Sequence, residues 1–188
     1  MKKIFLSVAF VAATFITVNA QETTFGLKGG VNFASINGDD LDDLDGRTSF
    51  HVGAVANFGL TEAFAIQPEV VYSSQGASEE FEGDDINYRL NYINIPVLAD
   101  YTFAEGFSAQ FGPQFGINVS SDVEFDGDTE DLEDVETLDL GLAGGLQYSL
   151  DQGIFFQARY TLGLNNIFDF EDADAKNGVF ALSVGYNF

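Results

Sequence analysis

Five titratable side chains are isolated in segments where their immediate chain neighbours are mostly apolar. They are Lys28, His51, Glu69, Asp139 and Arg159, with Asp100 on the same parity nearer one end of its segment. Successive side chains of an extended strand point to opposite faces, so these residues are expected on the polar faces of their strands. Where such a face lines an enclosed interior, its charges have to pair, because an unpaired buried charge is costly. We predict an interior charge network, which either plugs the interior as salt bridges or acts as a gate.

His51 is the single histidine of the chain and its first candidate for a general base. A catalytic histidine needs a nucleophile within hydrogen-bonding distance. No serine-containing hydrolase motif stands beside His51, and no P-loop, nucleophile elbow, zinc-ligand set or dinucleotide fingerprint is found in the sequence. We therefore expect a hydrogen-bonded interior histidine, and a protein that is neither an enzyme nor dependent on a cofactor.

The segment DVEFDGDTEDLE carries oxygen ligands at the spacing of a calcium-binding EF-hand loop. The candidate metal ligands are Asp122, Glu124, Asp126, Asp128 and Glu133, with a glycine at the sharp turn. The longer Glu124 replaces the usual Asp or Asn, Thr129 replaces an aliphatic residue, and no helices are predicted on either side. The segment is a candidate Ca²⁺ site, although loosely held Ca²⁺ or Mg²⁺ or plain solvated charge is the simpler interpretation.

The elements that position these residues are eight segments in which large apolar and small or polar residues alternate. They cover residues 24–36, 49–60, 64–73, 93–103, 107–118, 138–148, 154–165 and 179–188. Tight turns are predicted at 60–63, 103–106 and 150–153, and long loops at 37–48, 76–87, 120–137 and 166–177. The four loops hold 23 of the 30 acidic residues, which separates the acid from the apolar segments. Seven connections join eight strands, and an even number returns both chain ends to the short-turn side.

The polar face of these segments distinguishes a membrane barrel from a soluble one. It consists of Gly, Ser, Asn, Gln and Ala with few charges, which suits a crowded interior better than a solvated surface. Large aromatic residues lie on the apolar face near the short turns: Phe25, Phe58, Phe64, Phe103, Phe107, Tyr148, Tyr186 and Phe188. About ten residues per strand cover the apolar band of an outer membrane. The sequence predicts an all-β, eight-stranded antiparallel up-and-down transmembrane β-barrel.

The fourth segment leaves two alternatives open. Tyr88, Leu90 and Tyr92 lie on one parity, and the apolar residues from Ile93 onward lie on the other. Either a bulge lies near Tyr92–Ile93, or Arg89 and its neighbours already belong to the loop beyond the membrane. Counting ten residues back from the short turn favours the loop.

The first twenty residues predict export. Lys2 and Lys3 precede an apolar run that ends at Val18-Asn19-Ala20, the pattern of a cleaved secretory signal peptide over residues 1–20. The domain is then expected over 21–188. The chain has no cysteine and a net charge of −23, which argues against disulfides and against nucleic acid as a partner.

The opening strand FGLKGGVNFASI, the hairpin pattern of residues 21–188 and the terminal GYNF carry a family resemblance. The chain resembles the outer membrane protein β-barrel domain, or porin-family, proteins of Bacteroidota, including PorT-like barrels, and is similar in architecture to small OmpA- and OmpX-like barrels. The resemblance implies an integral protein of the Gram-negative outer membrane with periplasmic termini. It also implies that barrel-assembly machinery reads Tyr186 and Phe188 at the end of the closing strand. It implies no activity.

We expect a non-enzymatic outer-membrane protein with a filled polar lumen and acidic extracellular loops for surface interaction or envelope integrity. A narrow passive channel for water or small solutes is the alternative, and an accessory role in a secretion system, as for PorT-like proteins, is a further one. The expected partners are outer-membrane lipid, lipopolysaccharide and the assembly machinery, and the expected state is a monomer.

Overall fold

The computed structural model describes residues 23–38, 45–81, 84–125, 128–132, 135–168 and 175–188. These residues form nine strands: β1 Thr23–Asn37, β2 Asp45–Gly59, β3 Phe64–Phe81, β4 Asp84–Ala104, β5 Phe107–Phe125, β6 Asp128–Asp131, β7 Leu138–Ser149, β8 Ile154–Gly163 and β9 Lys176–Asn187. The predicted signal peptide lies outside the described residues. The described residues include no helix that is long and apolar enough to cross a membrane.

Eight of the strands close into an antiparallel barrel. The sheet order is β4-β3-β2-β1-β9-β8-β7-β5, and a further pairing of β4 with β5 closes the ring. The chain ends meet in this ring, because β1 pairs with β9 from Gly26↔Asn187 to Asn37↔Lys176. β6 is a short strand that pairs only with the end of β5. The predicted eight-stranded antiparallel barrel is confirmed.

Two of the tight turns depend on glycine. Gly106 and Gly153 have φ angles of 75° and 89°, a left-handed backbone conformation that residues with a Cβ rarely adopt. The turns join β4 to β5 and β7 to β8, where the alternation of the sequence placed them. They bring the ends of neighbouring strands together at one end of the barrel, called the short-turn end below. The opposite end is the long-loop end.

The barrel wall is uneven at the long-loop end. β3, β4 and β5 have 18, 21 and 19 residues, whereas β8 has only 10. The prediction of a long loop over 76–87 is wrong, since the β3–β4 ladder continues to Phe81↔Asp84. The extension pairs with β2 as far as Ser78 and with β5 from Asn87, and it lies beyond the apolar band, so it needs no apolar outer face. It therefore lacks the alternation by which the other strands were found.

The irregularity predicted as a bulge near Tyr92–Ile93 is present in the β4–β5 pairing, but it does not change which way the β4 side chains face. Leu90, Tyr92 and Asn94 all point inward, and the pairing with β3 continues without a shift. A register shift is present on the other side, where Asn91 pairs with Ser120 and Tyr92 with Asn118. Arg89 is thus part of a strand, and placing it in a loop is wrong. The alternation reverses because the barrel interior itself becomes apolar toward the long-loop end.

The interior has a polar part and an apolar cap. The apolar cap is a buried cluster at the long-loop end: Ile36, Ala77, Leu90, Tyr92, Ile167 and Ala175, with Leu132, Val135 and Phe168 packed against it. Below it, the buried side chains are mainly Asn, Gln, Ser and the charged residues. The outer face is apolar, with Phe25, Leu27 and Phe111 each more than half exposed. An apolar outside and a polar inside are what a lipid-embedded barrel requires.

Candidate functional site in the barrel lumen

Three buried charges meet in the middle of the lumen. Lys28 Nζ lies 2.7 Å from Glu69 Oε2, and Arg159 donates to both Glu69 oxygens at 2.8 and 2.7 Å. Glu69 on β3 and Arg159 on β8 stand four strands apart in the ring of eight, on opposite walls. The three residues, called the lumen triad below, therefore span the lumen from wall to wall.

A shell of glutamines bonds to all three members of the lumen triad, and Arg159 Nε is left without a hydrogen-bond partner among the described residues. Gln67 donates to Glu69 Oε1 at 2.8 Å, and Gln157 accepts from Lys28 at 3.0 Å. Gln110 accepts from Arg159 at 3.0 Å and donates to Asp100 at 2.6 Å. Buried charges are tolerated when their remaining hydrogen-bonding atoms are satisfied in this way. Asp100 is thereby linked to the lumen triad through a single amide.

His51 lies one layer nearer the long-loop end and is bonded on both ring nitrogens. Nδ1 is 2.8 Å from Asn32 Oδ1, and Nε2 is 2.8 Å from Ser183 Oγ. Sequence reasoning missed Ser183 because it lies 132 residues along the chain. The strand registers would have found it, since Gly30 pairs with both His51 and Ser183.

The order Ser183–His51–Asn32 matches a nucleophile, a base and an orienting group. All three residues are buried, and the neighbouring lumen cavity has a volume of about 40 Å³. That volume holds a few water molecules at most. The cavity is too small for a lipid acyl chain, so the arrangement joins β1, β2 and β9 as a hydrogen-bonded crosslink.

Asp139 is not brought to the lumen triad. It lies near the start of β7, level with Asn94 on β4 through the pairs Asn94↔Gly116 and Gly116↔Asp139. The amide of Asn177 interacts with the Asp139 carboxyl and donates to the Tyr92 hydroxyl at 3.3 Å. This second polar layer lies between the lumen triad and the apolar cap.

The candidate calcium ligands fall on the β5–β6 hairpin as far as they are described. Asp122 and Glu124 on β5 both form salt bridges with Arg89, the first at 3.7 Å. Asp128 starts β6, whereas Asp126 and Glu133 lie outside the described residues. No group of three or more His, Cys, Asp or Glu that could hold a metal occurs among the described residues. The Ca²⁺ site stays a prediction.

The chain end completes the ring. Phe188 N–H donates to the Phe25 carbonyl at 2.8 Å, and its ring packs edge-on against Tyr186 with centroids 5.7 Å apart. Both rings point outward at the short-turn end, where Phe188 is 72% exposed. Phe103, Phe107 and Tyr148 form a second aromatic group at the same end, with centroid distances of 6.3 and 4.5 Å.

A closed barrel with an apolar outer face and a filled polar interior is the architecture of an integral membrane β-barrel protein. The chain belongs to the family described as the outer membrane protein beta-barrel domain, whose model matches residues 19–169. It is an integral outer-membrane protein. No curated protein matches its sequence.

Solved structures of small outer-membrane proteins share the fold. Neisserial surface protein A has 14% sequence identity and a TM-score of 0.64, with 89% of this chain and 99% of that chain covered. Ail, the attachment invasion locus protein of Yersinia pestis, has 17% identity and a TM-score of 0.57, with the same coverage. Ail was also solved with the heparin analogue sucrose octasulfate, at 16% identity and a TM-score of 0.55 over the same shares of both chains.

Proposed function

We propose that this protein is a non-enzymatic outer-membrane barrel whose lumen is closed and whose acidic long-loop end faces the cell exterior. The lumen triad carries this proposal. Its ion pairs at 2.7–2.8 Å cross the middle of the lumen, and glutamines fill the space around them. A passage for solutes would require these buried pairs to break, which costs several kcal/mol. This favours a surface or envelope role over a narrow channel.

The exterior role rests on charge. Of the basic residues, Lys28 and Arg159 are buried in the lumen and Arg47 is half-buried against Ser74 and Gln75. Most of the 30 acidic residues lie at the long-loop end, so that end presents negative charge. Ail was solved with a polyanion analogue, whereas this charge repels polyanions and favours a cationic partner. Loosely bound Ca²⁺ or Mg²⁺ at the loops would let the same surface lie beside lipopolysaccharide phosphates.

The orientation is part of the proposal and can be tested on its own. Both chain ends lie at the short-turn end, so periplasmic termini place the long loops outside. The chain has no cysteine, so a single introduced thiol is an unambiguous label. A membrane-impermeant maleimide added to intact cells should label Thr129→Cys on β6 and leave Gln152→Cys in a short turn unlabelled. Labelling of Gln152→Cys alone would show that the short-turn end faces the exterior.

The partner class is tested with purified protein in lipid vesicles. We expect labelled poly-lysine to bind and heparin not to bind at physiological salt. Replacing the acidic residues of 120–137 by Asn and Gln should weaken poly-lysine binding several-fold. The matched control neutralises Glu62, Glu105 and Asp151 at the short-turn end and should bind as the natural chain does. Equal loss in both variants would show that the long-loop end has no special role.

The finer assignments rest on sequence. The motif FGLKGGVNFASI in β1 supports a place among the Bacteroidota barrels, and a PorT-like accessory role in secretion follows only from that resemblance. Deletion of the gene with measurement of secreted protein tests this role. Secretion that is unchanged, together with increased uptake of a hydrophobic dye through the envelope, would favour envelope integrity.

A further inference from the structure

The polar layer around Asp139 contains acceptor atoms without donors. Asp139, Asn94 and Asn177 come from β7, β4 and β9, and each is at most 5% exposed. In all three, the Oδ1 atom is buried and has no hydrogen-bond partner among the described residues. Buried acceptors in proteins nearly always have a partner. The same part of the lumen has one unpartnered donor, Asn118 Nδ2, opposite Tyr92, so the acceptors outnumber the donor by three to one and favour a ligand with positive charge.

The charge balance of the lumen also favours a ligand with positive charge. The lumen triad contains two cations and one carboxylate, and Asp100 is linked to it through Gln110. These four charges balance, and His51 is engaged by Asn32 and Ser183 without a charged partner. Asp139 is the remaining carboxylate. In the described part of the chain, no Lys or Arg lies within salt-bridge distance of it.

The cations nearer the long-loop end have partners elsewhere. Arg89 forms salt bridges with Asp122 and Glu124. Arg47 donates to Ser74 Oγ at 3.1 Å and to the Gln75 carbonyl at 2.8 Å. Neither arginine is bonded to Asp139, and no printed contact pairs its carboxylate with a charged side chain of the described residues.

The backbone provides a place for that cation over Gly116. Asn94 and Asp139 flank Gly116 on neighbouring strands, about 9 to 10 Å apart by the strand spacing. A Cβ at position 116 would lie 2.9 Å from Asn94 Oδ1 and 3.1 Å from Asp139 Cβ. Because glycine has no side chain there, Asn94 Oδ1 and the Asp139 side chain can both approach the same point on β5.

We propose that Asp139 and Asn94 bind a monovalent cation of the sodium class over Gly116, with the Asn177 amide holding the Asp139 carboxyl. Ca²⁺ takes six to eight oxygens and is usually bound by several carboxylates. One carboxylate with neutral amide oxygens matches a single positive charge, and that charge brings the lumen to neutrality.

The test compares thermal unfolding of the folded barrel in detergent in NaCl and in choline chloride at equal ionic strength. Unfolding is followed by the change in gel mobility. A bound cation stabilises the folded state, so we expect a midpoint about 3 to 5 °C higher in NaCl. Asp139→Asn, which keeps the shape of the side chain, should abolish the difference. Asp151→Asn in an exposed short turn also removes one negative charge and should keep the difference between the two salts.

Three results would overturn the proposal. They are equal midpoints of the natural chain in the two salts, a sodium effect that persists in Asp139→Asn, and a sodium effect lost equally in Asp151→Asn. Asn94→Ala, which removes one ligand and leaves the carboxylate, should reduce the effect and serves if Asp139→Asn does not fold. A crystal soaked with Tl⁺ should show an anomalous peak between Asp139 and Asn94. Absence of a peak there would contradict the site directly.

Discussion

At the scale of single residues, Glu69 joins the two cations of the lumen triad. It is fully buried, it receives two cations, and Gln67 donates to it as well. Its removal would leave Lys28 and Arg159 facing each other without a counter-charge. The asymmetry between an intact and a broken buried ion pair makes this residue the most sensitive point of the barrel.

We expect Glu69→Gln to lower the free energy of unfolding by about 3–5 kcal/mol, because it leaves buried positive charge uncompensated. Urea unfolding in lipid vesicles, followed by gel mobility, measures this loss. Glu62→Gln in an exposed short turn is the matched control and should unfold at the same urea concentration as the natural chain. An unfolding curve of Glu69→Gln that coincides with the natural one would contradict the role given to the lumen triad.

His51 provides a second test at this scale. We expect His51→Ala to destabilise the barrel by about 1–3 kcal/mol for each of the Asn32 and Ser183 atoms left without a partner. We also expect a serine-directed fluorophosphonate to leave Ser183 of the folded natural chain unmodified, because the cavity beside it is small. Mass spectrometry checks the second point. Stoichiometric labelling that requires His51 would show a nucleophilic serine and contradict the non-enzymatic proposal.

At the scale of elements, closure of the ring depends on β9. Its last residues pair with β1 through Gly26↔Asn187, and Phe188 extends the ladder with one more bond to Phe25. A barrel with this seam open would expose unpaired backbone groups to lipid, which is strongly unfavourable.

Deletion of Phe188 is therefore expected to reduce the amount of folded barrel in the outer membrane several-fold, since both the last backbone bond and the terminal aromatic are lost. Quantitative immunoblotting of heat-modifiable protein in the outer-membrane fraction measures this. Phe188→Tyr keeps an aromatic end and should assemble normally. Normal assembly of the deletion would contradict the role of the terminal residue.

Eight strands and three tight turns could be predicted because lipid imposes a strict alternation on the outer face of each strand. The extension of β3 and β4 to Phe81 and Asp84 could not, because water imposes no such pattern on it. The inward turn of Leu90 and Tyr92 was missed for a related reason. Parity alone does not tell an apolar cap inside the barrel from an apolar face outside it.

The residues of the candidate site could be predicted from the sequence better than the contacts between them. Parity places Lys28, Glu69 and Arg159 on the interior face, and the structure brings both cations within 3 Å of Glu69. That Asp139 lies in a separate layer depends on strand stagger and register, which the sequence does not reveal. The same applies to the contact between His51 and Ser183.

At the scale of the whole molecule, the barrel separates its charges. In the lumen, Lys28, Arg159, Glu69 and Asp100 are neutral in sum, whereas Asp122, Glu124 and Asp128 lie on β6 and the adjoining end of β5. Such an arrangement keeps the interior of the barrel compatible with a low-dielectric membrane.

Single-channel recording in planar lipid bilayers tests the closed lumen most directly. The natural chain is expected to insert without discrete openings, because the lumen triad and its glutamines fill the cross-section. The variant Lys28→Ala, Glu69→Ala, Arg159→Ala, if it remains heat-modifiable, is expected to conduct, since three long side chains are removed from one level. Discrete, reproducible openings of the natural chain would contradict the closed lumen.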